Sequence, residues 1–213
     1  MIGCASTASE TGLPRVLEAL RGAFPARAVR FLLDSSSALT SAVGRGAADL
    51  AVVLGSGGTD LEPGRTIGSL PLEWHGAPRR AGDDGAPVRL IALPEPCGIR
   101  RRAVEALTGS GRSVDVVAEV ASLDGALAAA RAGLGVVALP LARRFGQHAP
   151  ELRGLARRTD LPALGRVDVT LLHSRDTAAE TEDTAFKALD LHMSLLGMLA
   201  ADTMTDADIR IPA

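Results

Sequence analysis

Apolar positions along this chain switch repeatedly between two periods. Leu13, Val16, Leu17 and Leu20 recur at i, i+3, i+4 and i+7, one face of a helix, with Pro14 in the first turn where its missing N–H costs nothing. Phe24-Pro25 ends that helix, and Val29 to Leu33 reads as a strand. Ser35, Ser36 and Ser37 then offer hydroxyl caps to a second helix carrying Leu39, Ala42 and Val43. Gly46 closes it. The run Asp49 to Leu54 is apolar at successive positions, as in a strand buried on both faces. Residues 55–69, rich in Gly, Thr and Pro, read as loop.

A second block repeats the grammar. Val88 to Leu93 is a strand, Pro94-Glu95-Pro96 a turn, and Ile99 to Leu107 a helix. Val114 to Val120 is a strand. Ser122 caps a helix through Leu123, Ala126, Leu127 and Ala130, which stops at Gly133-Leu134-Gly135 before the buried strand Val136 to Leu139. Val167 to Leu172 alternates as a strand, and Ala185, Leu189, Met193, Leu196 and Leu199 line a long amphipathic helix. Residues 202–213 form a polar tail.

Two β-α-β-α-β blocks in tandem predict an α/β protein of two doubly wound, Rossmann-like lobes. In such sheets ligands bind beyond the carboxyl ends of the strands, so the cleft between two lobes is the natural site. Trp74 falls on an expected crossover strand, where it packs a hinge.

Composition narrows the function. With 2% aromatic residues and no Tyr among 213, the core is aliphatic and base stacking is not expected as a binding mode. A net charge of −2 supplies no field toward DNA or an anionic membrane. No apolar run is long enough to span a bilayer, and residues 1–12 lack the pattern of a signal peptide, so the expected address is the cytoplasm. Cys4 and Cys97 make no disulfide framework and no C-x-x-C motif, so they read as small hydrophobes. His75, His148, His173 and His192 are scattered, without metal-ligand spacing. The chain has no G-x-S-x-G elbow and no P-loop, and the Gly-Ser-Gly-Gly at 55–58 lacks dinucleotide-binding spacing. Neither catalysis nor a cofactor is expected.

The ordered segments resemble a known family. In the first block these are Ile2-Gly3, Leu13-Pro14-Arg15 and Ala48-Asp49-Leu50-Ala51-Val52. In the second they are Pro96-Cys97-Gly98-Ile99-Arg100, Ala106-Leu107, Gly111-Arg112, Ala121 to Ala126, Ala132 to Pro140 and Leu161-Pro162-Ala163-Leu164. Their order and spacing resemble the effector-binding domain of LysR-type transcriptional regulators over about residues 2 to 200. The resemblance implies a type 2 periplasmic-binding-protein-like fold. One lobe would hold residues 1–70 plus 167–201, and the other 71–166. It also implies a small-molecule effector in the cleft, a homodimer or higher homo-oligomer, and DNA contact only through a helix-turn-helix domain that this stretch does not contain. The competing reading is a free-standing solute-binding protein of the periplasmic type.

The candidate effector-binding residues are Ser6, Thr7, Ser35, Ser36, Cys97, Gly98, Arg100 and Ser122. Each stands where a strand gives way to a helix, and helix starts bring unpaired N–H groups and the positive end of a dipole, which favour an anionic or polar ligand. Ser6 and Thr7 either donate to the effector or merely cap the first helix; the resemblance favours the first. Gly98 admits close backbone approach. Of Arg100, Arg101 and Arg102, which point three ways around one helix, Arg100 is the choice because it lies nearest the helix start. Ser122 is the strongest candidate in the second lobe.

Overall fold

The computed structural model describes residues 1–5, 13–55, 64–77, 85–140 and 152–195. The first lobe opens with β1 (Ile2–Ala5), α1 (Leu13–Ala23), β2 (Phe31–Asp34), α2 (Ser36–Gly44) and β3 (Leu50–Leu54). β1 lies parallel between β2 and β3, and its four residues are buried because helices cover the sheet. A Cβ on Gly3 would stand 2.7 Å from Leu39 Cδ2, so the bare backbone lets Leu39 of α2 seat close on the sheet.

The chain then runs through β4 (Gly64–Gly76), a continuous strand of 13 residues. The second lobe follows with β5 (Val88–Ala92), α3 (Gly98–Gly109), β6 (Val114–Glu119), α4 (Leu123–Arg131), β7 (Val136–Pro140) and the short β8 (Ala156–Arg157). β9 (Arg166–His173) returns to the first lobe, and α5 (Ala179–Leu195) packs beside α1. The strand order is β2-β1-β3-β9-β4-β7-β5-β6, with β8 on β4.

β4 is what makes two lobes one sheet. Gly64 to Pro71 pairs antiparallel with β9, and Leu72 to Gly76 pairs antiparallel with β7. The partner changes between Pro71 and Leu72, and proline lacks the N–H that a ladder would use. Residues 64–69 are therefore strand, against the sequence expectation of loop. Their glycines serve the pairing: Gly64 leaves room for Leu172, whose Cδ2 would lie 2.7 Å from a Cβ, and Gly68 sits where the register slips by one residue. Smaller corrections place β2 two residues further along than expected and start α3 at Gly98.

The return path from β8 to β9 is tied to the second lobe by side chains. Trp74 Nε1 donates to the Pro162 carbonyl at 2.8 Å, Arg112 to that of Asp160 at 2.9 Å, and Arg102 to that of Leu164 at 3.2 Å. Trp74 thus does pack at the crossover, with its one polar atom satisfied.

Candidate functional site: the groove between the lobes

The carboxyl ends of β1, β2 and β3 and those of β5 and β7 lie beside the helix starts of both lobes. A groove of about 780 Å³ runs where α3 meets the end of β3 and the start of β9, lined by Gly98, Arg101, Arg102 and Glu105 of α3, Leu72 of β4, Gly55 after β3, and Leu164, Arg166, Val167 and Asp168. That volume suits a small organic ligand.

The groove is pinched where Gly98, the first residue of α3, meets Gly55, the residue after β3. A Cβ on Gly98 would overlap the Gly55 carbonyl oxygen. Gly55 adopts φ +70, the left-handed region that favours glycine, and its N–H donates to the Asp168 carbonyl at 3.0 Å. Two glycines therefore let the lobes touch backbone to backbone.

The other expected residues fall as follows. Ser6 and Thr7 lie outside the described residues. Ser35 caps α2, accepting from the Ala38 N–H at 3.2 Å, and Ser36 accepts from the Leu54 N–H at 3.0 Å, joining α2 to the end of β3. Ser122 caps α4, accepting from the Gly125 N–H at 3.1 Å. Such a cap contributes about 1 kcal/mol and leaves the hydroxyl hydrogen free to donate.

Cys97 precedes α3 without a side-chain cap bond. With Arg100, Leu123 and Pro140 it lines a separate apolar cavity of about 30 Å³, room for one water, where α3 and α4 begin. Arg100 is engaged inside the second lobe: Nε stands 3.1 Å from Glu95 Oε1, and Nη1 donates to Glu119 and to the Leu93 carbonyl. Two carboxylates already balance its charge.

Arg101 and Arg102, set aside in the sequence reading, line the groove instead. A signal for them existed. Counting from Gly98, Arg101, Arg102 and Glu105 fall at i+3, i+4 and i+7 and share its helix face, whereas Arg100 at i+2 points away. Arg166 had no comparable local signal, because β9 is brought to α3 only by the fold.

Burial pushes the Cys4 thiol from its ordinary 9.0 up to about 12. The native protein keeps that proton to higher pH than the unfolded chain does. The stability this contributes is whole below pH 9 and is lost as pH rises from 9 toward 12. Alkylation of the folded protein near pH 8 should accordingly spare Cys4 until denaturant is added, and Cys4→Ala should flatten the alkaline fall in stability. Rapid native labelling of Cys4, followed by mass spectrometry, would contradict the burial.

The architecture and the groove define a two-lobed ligand-binding domain of the type 2 periplasmic-binding-protein kind. The chain belongs to the LysR substrate binding domain family, whose model matches residues 1–188. It is 27% identical over 211 residues to the HTH-type transcriptional regulator PecT of Dickeya dadantii (strain 3937), a match covering 99% of this chain and 65% of PecT. The chain thus spans just under two thirds of that relative's length. A variant OxyR2 regulatory domain from Vibrio vulnificus has the same fold, with a TM-score of 0.71 at 17% identity over 89% of this chain and 92% of that one. The Synechocystis PCC6803 CcmR regulatory domain, in complex with 2-PG, gives 0.66 at 15% identity over 89% and 95%. Among the described residues no helix is long and apolar enough to cross a membrane.

Proposed function

We propose that this chain is the effector-sensing part of a LysR-type transcriptional regulator and performs no catalysis of its own. A small polar or anionic molecule binds in the groove between the lobes, and the state of closure is passed to a DNA-binding domain elsewhere in the regulator. The carrying observation is the groove pinched at Gly55 and Gly98, a contact between lobes that any ligand there must share. The lobes are assigned as residues 1–70 with 167–201, and 71–166; the partner change at Pro71 and Leu72 supports that division. The 2-PG complex of CcmR supports a small-molecule effector, and the family favours the regulator over a free-standing solute-binding protein.

The test is thermal stability against a library of small acids and amides. A ligand of the folded state raises the melting temperature by mass action. If Ser122, at the start of α4, is an effector contact, Ser122→Leu should then abolish the rise while the free protein still folds. Absence of any stabilising compound, or equal stabilisation of Ser122→Leu, would count against the placement.

We also propose self-association by a two-fold arrangement near α1 and α4. α1 packs on α5 and α4 on the sheet, so the surfaces left near them are Leu33, 49% exposed on the edge strand β2, and Leu134, 41% exposed after α4. Sedimentation at high micromolar concentration should show a dimer, and Leu33→Asp should shift it toward monomer. Only monomer in both would remove the proposal.

A further inference from the structure

The start of α3 is held by charged side chains that lie outside the groove lining. Arg100, in the first turn of α3, has only 15% of its side chain exposed and reaches three acceptors. Its Nε lies 3.1 Å from Glu95 Oε1 in the turn after β5. Its Nη1 donates to Glu119 at the end of β6 and to the Leu93 carbonyl at 3.2 Å. Glu95 serves twice, because its Oε2 accepts the Cys97 N–H at 3.2 Å. Cys97 offers α3 no side-chain cap, so this carboxylate supplies the negative group where the helix dipole is positive.

Glu95 and Glu119 are 60% and 54% exposed, and an isolated ion pair of that kind would contribute little. The guanidinium is the member withdrawn from water. It spreads a fixed fork of donors over three acceptors, and removing either carboxylate leaves its charge less well matched. The network therefore ties β6, the outer strand of the second lobe, to the residues that open α3. One residue beyond Cys97 stands Gly98, against the Gly55 carbonyl of the first lobe. That contact has no slack, since a single added carbon overlaps the oxygen. Behind it the Gly55 N–H is bonded to the Asp168 carbonyl at 3.0 Å.

Resting on the reading of the groove as the effector site, we propose that Arg100 is a positioning residue of that site. Glu95, Arg100 and Glu119 form a brace that carries the position of β6 to the Gly98–Gly55 contact and so sets how far the groove stands open. Arg100 acts through the start of α3 and not on the effector. A change at the outer strand is thereby felt at the contact between lobes, although β6 and Gly55 belong to different lobes.

The experiment is residue-resolved hydrogen exchange by NMR on the whole chain without ligand, comparing Arg100→Gln, Glu119→Ala and Arg101→Gln. The first two each remove part of the brace, at a position outside the groove lining. In both, the amides of Cys97 and Gly55 should exchange at least about tenfold faster, the factor carried by a hydrogen bond to a charged group. The amides of Leu20 on α1 and Leu127 on α4, both fully or nearly buried, should stay within about twofold. Arg101→Gln, whose pair with Glu105 is exposed on both sides, should leave all four amides unchanged. Faster exchange at Cys97 without Gly55, or at Gly55 without Cys97, overturns the brace, because the two must move together. Equal acceleration at all four amides overturns it as general destabilisation, and so does an Arg101→Gln effect of the same size or no effect at all. Since no ligand is present, these outcomes test the brace alone, and the melting-temperature screen separately tests the groove as the effector site.

Discussion

Gly98→Val is expected to weaken effector binding at least about tenfold and to cost about 1–3 kcal/mol of stability, the usual range for forcing extra carbon into a packed site. The obstacle is backbone: even the first added carbon overlaps the Gly55 carbonyl oxygen, and the carbonyl carbon would lie 3.3 Å away. Gly55 cannot step aside freely, because its N–H is bonded to Asp168 and its own Cβ position faces Val167 Cγ2 at 3.0 Å. The start of α3 must therefore retreat from β3, and the walls of the groove part. Gly109, at the other end of α3, has nothing within 4 Å of its Cβ position. Gly109→Ala should be neutral or slightly stabilising, since alanine favours helix. Urea unfolding with ligand titration decides it: equal behaviour of the two variants would mean that Gly55 and Gly98 do not hold the lobes together.

Leu171→Ala is expected to cost about 2–5 kcal/mol, a large share of the roughly 5–15 kcal/mol that stabilises a typical domain. Leu171 is fully buried on β9, paired with Val52 of β3 on one side and with Arg65 of β4 on the other. Its neighbours are held by two strand ladders and cannot collapse into the space left behind. Leu191, on α5 and 63% exposed, provides the contrast: Leu191→Ala should stay within about 0.5 kcal/mol. Urea midpoints for both variants test this, and a Leu171→Ala loss no larger than that of Leu191→Ala would remove β9 from the core.

Hydroxyl and glycine punctuation made several boundaries readable. Ser122 marks the start of α4 because its side chain replaces a missing backbone partner, and α1 follows the spacing of Leu13, Val16, Leu17 and Leu20. Cys4, read as a small hydrophobe, lies buried on β1. β4 was half missed for the opposite reason. Gly64 and Gly68 carry loop propensity, and they lie in a strand because β9 offers a ladder and Leu172 needs the space. The arginines show the same division. Helix geometry alone ranks Arg101 and Arg102 beside Gly98 and turns Arg100 to another face, so the two that line the groove were legible from spacing. Arg166 was not legible, since its place in the same groove depends on a strand contributed from more than 60 residues further along.

The order of apolar runs by itself determined that this is an α/β protein with two doubly wound blocks, because period and punctuation act locally and survive in one dimension. It also located the helix starts where Ser35, Ser36, Gly98 and Ser122 stand. Only the tertiary structure decided which charges are available. Glu95 and Glu119 neutralise Arg100 from separate loops and strands, while Arg102 and Arg166 meet carbonyl and hydroxyl oxygens in place of carboxylates. The strength of an ion pair depends on distance through space, and distance along the chain carries no record of it.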